Sequence, residues 1–174
     1  TDASNWTTVN VGSGWANFHG GTYGNGLFVG VGNDGNIAVS SDGSSWTSRD
    51  SGTSSEFIGV AYGDGRYIAA GRSSTIAIST DGGVSWTSSQ PSVFGSSALY
   101  GIAYGSGMFM VIAGNCKAYG STDGGSTWSE MGSVESISPD YEGIIAYNES
   151  AKKFGIAGSS GKFYTADWPL YRGT

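Results

Sequence analysis

Charge is scarce in this chain. Only 13% of its 174 residues are Asp, Glu, Lys or Arg, eight of them basic, and the formal net charge is −6. The basic residues are scattered, so there is little with which to neutralise phosphates and release counterions, and a nucleic-acid partner is excluded. No stretch approaches the roughly 20 apolar residues that a helical bilayer crossing needs, so membrane insertion is not expected. The N-terminus carries neither a basic region nor an apolar signal core; because it begins at Thr1 without methionine, we expect a mature or excised portion of something longer. Cys116 is the single cysteine and His19 the single histidine. A lone thiol makes no intramolecular disulfide and no cysteine-based metal site. A lone imidazole without a Ser or Cys nucleophile motif points to a packed or channel-lining side chain.

Against three prolines there are 31 glycines. Low charge with that much glycine could read as disorder, but 13% aromatic residues and apolar runs such as Ile76-Ala77-Ile78 supply the burial that disordered tracts lack. The chain therefore reads as one compact, turn-rich β domain over 1–174.

A short aspartate-to-tryptophan phrase recurs four times: Asp2 to Trp6, Asp42 to Trp46, Asp81 to Trp86 and Asp123 to Trp128. The tryptophans stand 40, 40 and 42 residues apart, so each period is one structural unit. A second phrase falls between them, as Tyr23-Gly24-Asn25-Gly26-Leu27-Phe28, Tyr62-Gly63-Asp64-Gly65-Arg66-Tyr67 and Tyr104-Gly105-Ser106-Gly107-Met108-Phe109. It is loosened in the last period, from Tyr147 to Phe154. The second period shows the strand pattern most clearly: 57–62, 66–70, 75–79 and 85–88, each bounded by Gly, Asp, Asn or Ser, with hairpin-length connections. Four antiparallel strands cannot bury both faces alone, and packing such units around an axis gives a β-propeller. The expected architecture is all-β: a small propeller of four blades with four strands each, the last blade completed by the N-terminal strand at residues 2–9, with association of four blades per chain into a larger ring as the alternative. The tail at 168–174 departs from the repeat, and Pro169 would block a central ladder position.

The phrases Ser41-Asp42-Gly43-Ser44-Ser45-Trp46, Ser79 to Trp86 and Ser121 to Trp128 closely resemble the Asp-box, or BNR repeat, of sialidase-like propellers. In those proteins the motif lies away from the catalytic face. The resemblance thus implies a scaffold role for Asp2, Trp6, Asp42, Trp46, Asp81, Trp86, Asp123 and Trp128. Physically, the Asp carboxylate can accept hydrogen bonds from its own turn while Gly permits positive φ and Trp packs back over the hairpin. Each phrase offers one carboxylate without calcium-loop spacing, so no metal is expected.

A sialidase-like enzyme would need three converging arginines. Arg49, Arg66, Arg72 and Arg172 lack the family's Arg-Ile-Pro context, and no carboxylate pair is marked for glycoside hydrolysis. We expect no catalytic residues and no cofactor. Binding fits better, because the loops vary while the scaffold repeats. Two loop sets should share one face. They present Trp15, Asn33, Asp34 and Arg72 from the first half, and Phe94, Asn115, Lys117 and Tyr141 from the second. Aromatic platforms beside polar groups suit sugar stacking and hydrogen bonding. The whole repeat also resembles those of bacteriophage tail fibres and related surface proteins. That resemblance implies a non-catalytic module binding a cell-surface glycan at a fibre tip, with trimers in a fibre, on the virion or otherwise secreted. A secreted lectin, a protein-interaction or assembly scaffold and a degenerate sialidase-like glycosidase are the alternatives.

Overall fold

A computed structural model describes residues 7–9, 11, 17–135, 145–158 and 161–167. Among the described residues fifteen strands make four antiparallel sheets, and two three-residue 3-10 turns, Asn33–Gly35 and Ser92–Phe94, are the helical structure. Blade 1 runs β1 (Phe18–Gly24), β2 (Leu27–Gly32), β3 (Ile37–Ser40), β4 (Thr47–Arg49). Blade 2 runs β5 (Phe57–Gly63), β6 (Arg66–Gly71), β7 (Ile76–Ser79), β8 (Thr87–Ser89). Blade 3 runs β9 (Leu99–Gly105), β10 (Met108–Ala113), β11 (Lys117–Ser121), β12 (Ser129–Ser133). Blade 4 has β13 (Ile145–Asn148), β14 (Lys153–Ala157) and β15 (Phe163–Asp167) among the described residues. This is the four-bladed β-propeller. Most of the N-terminal strand expected to complete blade 4 lies outside the described residues, as do Asp2 and Trp6; Thr7–Val9 belong to no sheet.

The local reasons are plain in the sequence. In blades 1 to 3 the first hairpin turns on two residues with positive φ, as at Asp64 (48°) and Gly65 (73°), which is the backbone that matches strand twist. In blade 2 the outer strand starts at Thr87 rather than Ser85, because the Ser85 backbone and hydroxyl are already bound to Asp81.

Blades meet face to face through three buried clusters. Val29, Val31, Ile37 and Val39 of blade 1 pack on Tyr67 and Trp86 of blade 2. Ile68 and Ile76 meet Phe109 and Trp128 across the next joint, and Met110 and Ile112 meet Phe154 across the third. Each joint also has a steric key. A Cβ on Gly24, Gly63 or Gly105 would collide with the ring of Tyr62, Tyr104 or Tyr147 on the following blade. The fourth joint differs. Asn148 occupies the position held elsewhere by those glycines, and Phe28 of blade 1 is 40% exposed whereas its counterparts Tyr67, Phe109 and Phe154 are at most 1% exposed. Tyr23 and Phe163, on the two sides of that joint, are 60% and 66% exposed.

Candidate functional site

The innermost strands β1, β5, β9 and β13 are sheet edges that line a central channel of about 410 Å³. Its wall carries Gly20, Gly21, Gly59 and Gly101, which bring backbone close to the axis. A Cβ on Gly20 would stand 2.6 Å from the Ile58 carbonyl oxygen and 2.9 Å from the Gly59 Cα, so the first two blades approach there backbone to backbone.

At the upper end of three inner strands the register slips by one residue. The slips fall between Phe18 and Gly20, between Phe57 and Gly59, and opposite Ile112 and Ala113, where Gly101 and Leu99 are the partners. The skipped residues are His19, Ile58 and Tyr100, and all three line the channel. A β-bulge re-aims its extra side chain. Here the same device, repeated in three blades, turns the half-buried His19 imidazole to the opening, while Ile58 and Tyr100, 4% and 7% exposed, line the channel from within the core cluster.

The loop face surrounds that opening. The second-to-third strand loops touch the loops that enter the inner strands: Asn33 N–H donates to Asn17 O (3.0 Å), Arg72 N–H to Glu56 O (2.8 Å) and Gly114 N–H to Ala98 O (2.8 Å). Both loop sets therefore occupy one face. Across blades 1 and 2 runs a polar chain in which His19 Nε2 lies 2.5 Å from Asn33 Oδ1 and 3.4 Å from Glu56 Oε1, while Arg72 Nε donates to Glu56 Oε2 at 3.0 Å.

The expected site residues distribute unevenly. Asn33 and Arg72 belong to the polar chain, with exposed Asp34 beside them at φ 56°. In blade 3 the Asn115 amide donates to Tyr119 Oη at 3.1 Å and accepts from the Lys117 backbone, and Lys117 Nζ lies 2.7 Å from Glu130. That hydrogen bond and charge hold the Lys117 ammonium above its usual pKa. Phe94 requires a correction: it is 1% exposed, 5.0 Å edge-on to Tyr119 and 5.5 Å from Trp128, a core ring with no face left for a ligand. Trp15 and Tyr141 lie outside the described residues. His19, Glu56 and Tyr100 were not among the expected site residues. The available signal was that the repeats diverge at His19, Ile58 and Tyr100 immediately before the constant Gly20, Gly59 and Gly101.

The opposite face is held by the aspartate turns. Asp42 Oδ1 accepts from Ser44 N (2.8 Å), Ser45 N (2.7 Å) and Ser40 Oγ (3.0 Å), and Trp46 Nε1 donates to Gly43 O. The arrangement recurs at Asp81 with Trp86 and at Asp123 with Trp128. Backbone donors from Ser45 and Ser44 pull Asp42 down to about 2, and Ser85 does the same for Asp81, also about 2. At Asp123 burial pushes upward but the bonds from Thr127 and Ser121 outweigh it, and the result is lowered. Two arginines are engaged on this face. Arg49 Nε donates to Gly83 O, and Arg66 Nη1 to Asp123 O and Gly124 O, each clamping the turn of the next blade.

No protein-family model and no curated sequence matches the chain. Solved structures match by fold. The computationally designed Ika4 protein superposes with a TM-score of 0.66 at 13% identity, over 94% of this chain and 98% of its own. YCF48 from Cyanidioschyzon merolae gives 0.56 at 18% identity, over 89% of this chain and 57% of its own, and YCF48 is also solved bound to a D1 peptide. The GH74 enzyme of Niastella koreensis gives 0.61 at 21% identity, over 82% of this chain and 21% of its own. The chain thus spans little more than half of YCF48 and a fifth of the GH74 enzyme.

Proposed function

We propose that the chain is a non-catalytic recognition module whose loop face binds carbohydrate at a cell surface, in the setting of a phage fibre tip or another secreted protein. The observation that carries this reading is the repeated bulge at the channel mouth: one scaffold position, used three times, holds three chemically different side chains where the scaffold otherwise repeats. Variation at one scaffold position beside one opening supports a single composite site, and it suits a ligand with several distinct groups. On the blade 1 and blade 2 side of that opening, Asn33, Asp34, Glu56 and Arg72 supply hydrogen-bonding groups. His19 Nε2 is turned toward the Asn33 amide oxygen and the Glu56 carboxylate. The Asp-box and fibre-repeat resemblances of the sequence support this cellular setting, with self-association through a fibre as part of the proposal. A protein ligand is the second reading, favoured by the YCF48 structure that holds a peptide.

The test is a broad glycan array including bacterial surface polysaccharides, probed with the natural chain and with a double variant, Asn33→Ala with Arg72→Ala. Specific signal lost in the variant supports the reading. Signal retained by the variant removes the loop face from it, and silence on every glycan transfers the bet to a protein ligand.

A further inference from the structure

We infer that the ligand of the loop face is uncharged and rich in hydroxyl groups, not an acidic glycan; this rests on the reading of that face as the carbohydrate-binding one. An acidic sugar is held most strongly where a cation's charge is not already answered. On the loop face three cations are described, and each faces its own carboxylate: Arg72 with Glu56 at 3.0 Å, Lys117 with Glu130 at 2.7 Å and Lys162 with Glu135 at 2.6 Å. Elsewhere among the described residues Arg49 and Arg66 hold turn carbonyls on the opposite face, Lys152 pairs with Glu149, and Lys153 is likewise engaged.

Surface pairs like these break at little cost, so pairing alone does not disqualify the cations. What disqualifies them is the carboxylate that stays behind. An anion drawn to Arg72 also meets Glu56 one hydrogen bond away, and the attraction collapses to that of a small dipole. Exposed Asp34 and Asp50 add negative charge to the same face. Counting the described groups, five carboxylates there confront three cations, within a chain of net charge −6. Arriving acidic polysaccharide is repelled before contact.

The same groups favour hydroxyls. An ionised carboxylate only accepts hydrogen bonds, so a ligand that satisfies Asp34 must donate. Neutral sugars carry donors on adjacent carbons, whereas a uronate or sialate carboxylate brings further acceptors. Arg72 keeps its terminal amino groups for a ring or hydroxyl oxygen, because only its Nε is committed to Glu56.

The experiment is binding of the full chain to immobilised neutral polysaccharides (a mannan, a galactan) and acidic ones (polysialic acid, alginate), at low and high salt, beside Glu56→Gln. The expected result is binding confined to neutral polymers with affinity changing less than about threefold between low and high salt. Glu56→Gln, which leaves Arg72 unanswered, should acquire salt-sensitive binding to the acidic polymers. Selective binding of acidic polymers by the natural chain overturns this inference while leaving carbohydrate recognition intact. Binding to neither class, with Glu56→Gln equally silent, overturns the reading on which it rests.

Discussion

Gly63→Ala isolates the feature that joins one blade to the next. Gly63 lies in β5 with ordinary extended backbone, so alanine meets no torsional strain there. The obstacle is the Tyr104 ring of blade 3, on whose Cγ, Cδ1 and Cδ2 the new methyl would land, far inside the roughly 3.5 to 4.0 Å at which carbon atoms rest. Because Cγ is the root of the ring, a rotation of its far end does not clear the clash. Either the sheets separate, an overpacking cost of about 1 to 3 kcal/mol, or the ring is expelled from its tilted contact with Phe109 at 4.7 Å. Expulsion forfeits part of the roughly 3 to 5 kcal/mol that a buried aromatic is worth. Alanine recovers about 0.4 to 1 kcal/mol by stiffening the unfolded chain. The net expectation is a loss of about 1 to 2.5 kcal/mol, which at this length lowers Tm by about 2 to 10 °C. Circular dichroism melts and urea titration measure it. Adding Tyr104→Ala should make the glycine substitution nearly neutral, since the two act through one contact. Asn148→Ala, at the equivalent place in blade 4, should cost only about 0.5 to 1.5 kcal/mol, the worth of its bond to the Ala151 N–H. A Gly63→Ala chain that melts within about 1 °C of the natural one would refute this account of the joint.

The asymmetry of the joints makes a second comparison: Phe109→Ala should lose about 3 to 5 kcal/mol, and Phe28→Ala no more than about 1.5, by chemical denaturation. Equal losses would mean that the fourth joint is packed like the others. The aspartate turns predict an acid sensitivity. Asp42 and Asp81 are depressed to about 2, below the unfolded value of 3.8, so the stability they contribute is complete above pH 5 and is lost as pH falls toward 2. Asp81→Asn should flatten the dependence of the urea midpoint over that window, and an unchanged slope would remove the turn carboxylates as its cause. On the loop face, Glu56→Ala should reduce ligand affinity without shifting Tm by more than about 2 °C, since its partners His19 and Arg72 are partly exposed. A large Tm loss would assign the polar chain to stability.

The periodic residues made the fold legible. A tryptophan every 40 residues and Tyr-Gly-x-Gly hairpins specify turns and strands by local chemistry, and the blades follow. The role of Gly24, Gly63 and Gly105 beneath the next blade's tyrosine was hidden because it is a contact between repeats, and a single period cannot display it. The site was legible only as a face. Asn33, Asp34, Arg72, Asn115 and Lys117 carry polar groups in loops, which sequence reveals, but Glu56 matters through pairing with a residue 16 positions on. Phe94 misled because an aromatic residue within a polar loop looks exposed. The 3-10 turn Ser92–Phe94 folds it inward between Tyr119 and Trp128. His19 and Tyr100 reach the channel by a register slip that composition does not encode.

The claim that recognition occurs at the channel mouth is tested most directly by titrating the isotopically labelled chain with the polysaccharide that binds it and following backbone amide resonances. The account predicts shifts at His19, Asn33, Glu56, Arg72 and Tyr100 while the turns at Asp42, Asp81 and Asp123 stay still. Shifts confined to those turns, or to the flank of blade 1 around Tyr23 and Phe28, would contradict it.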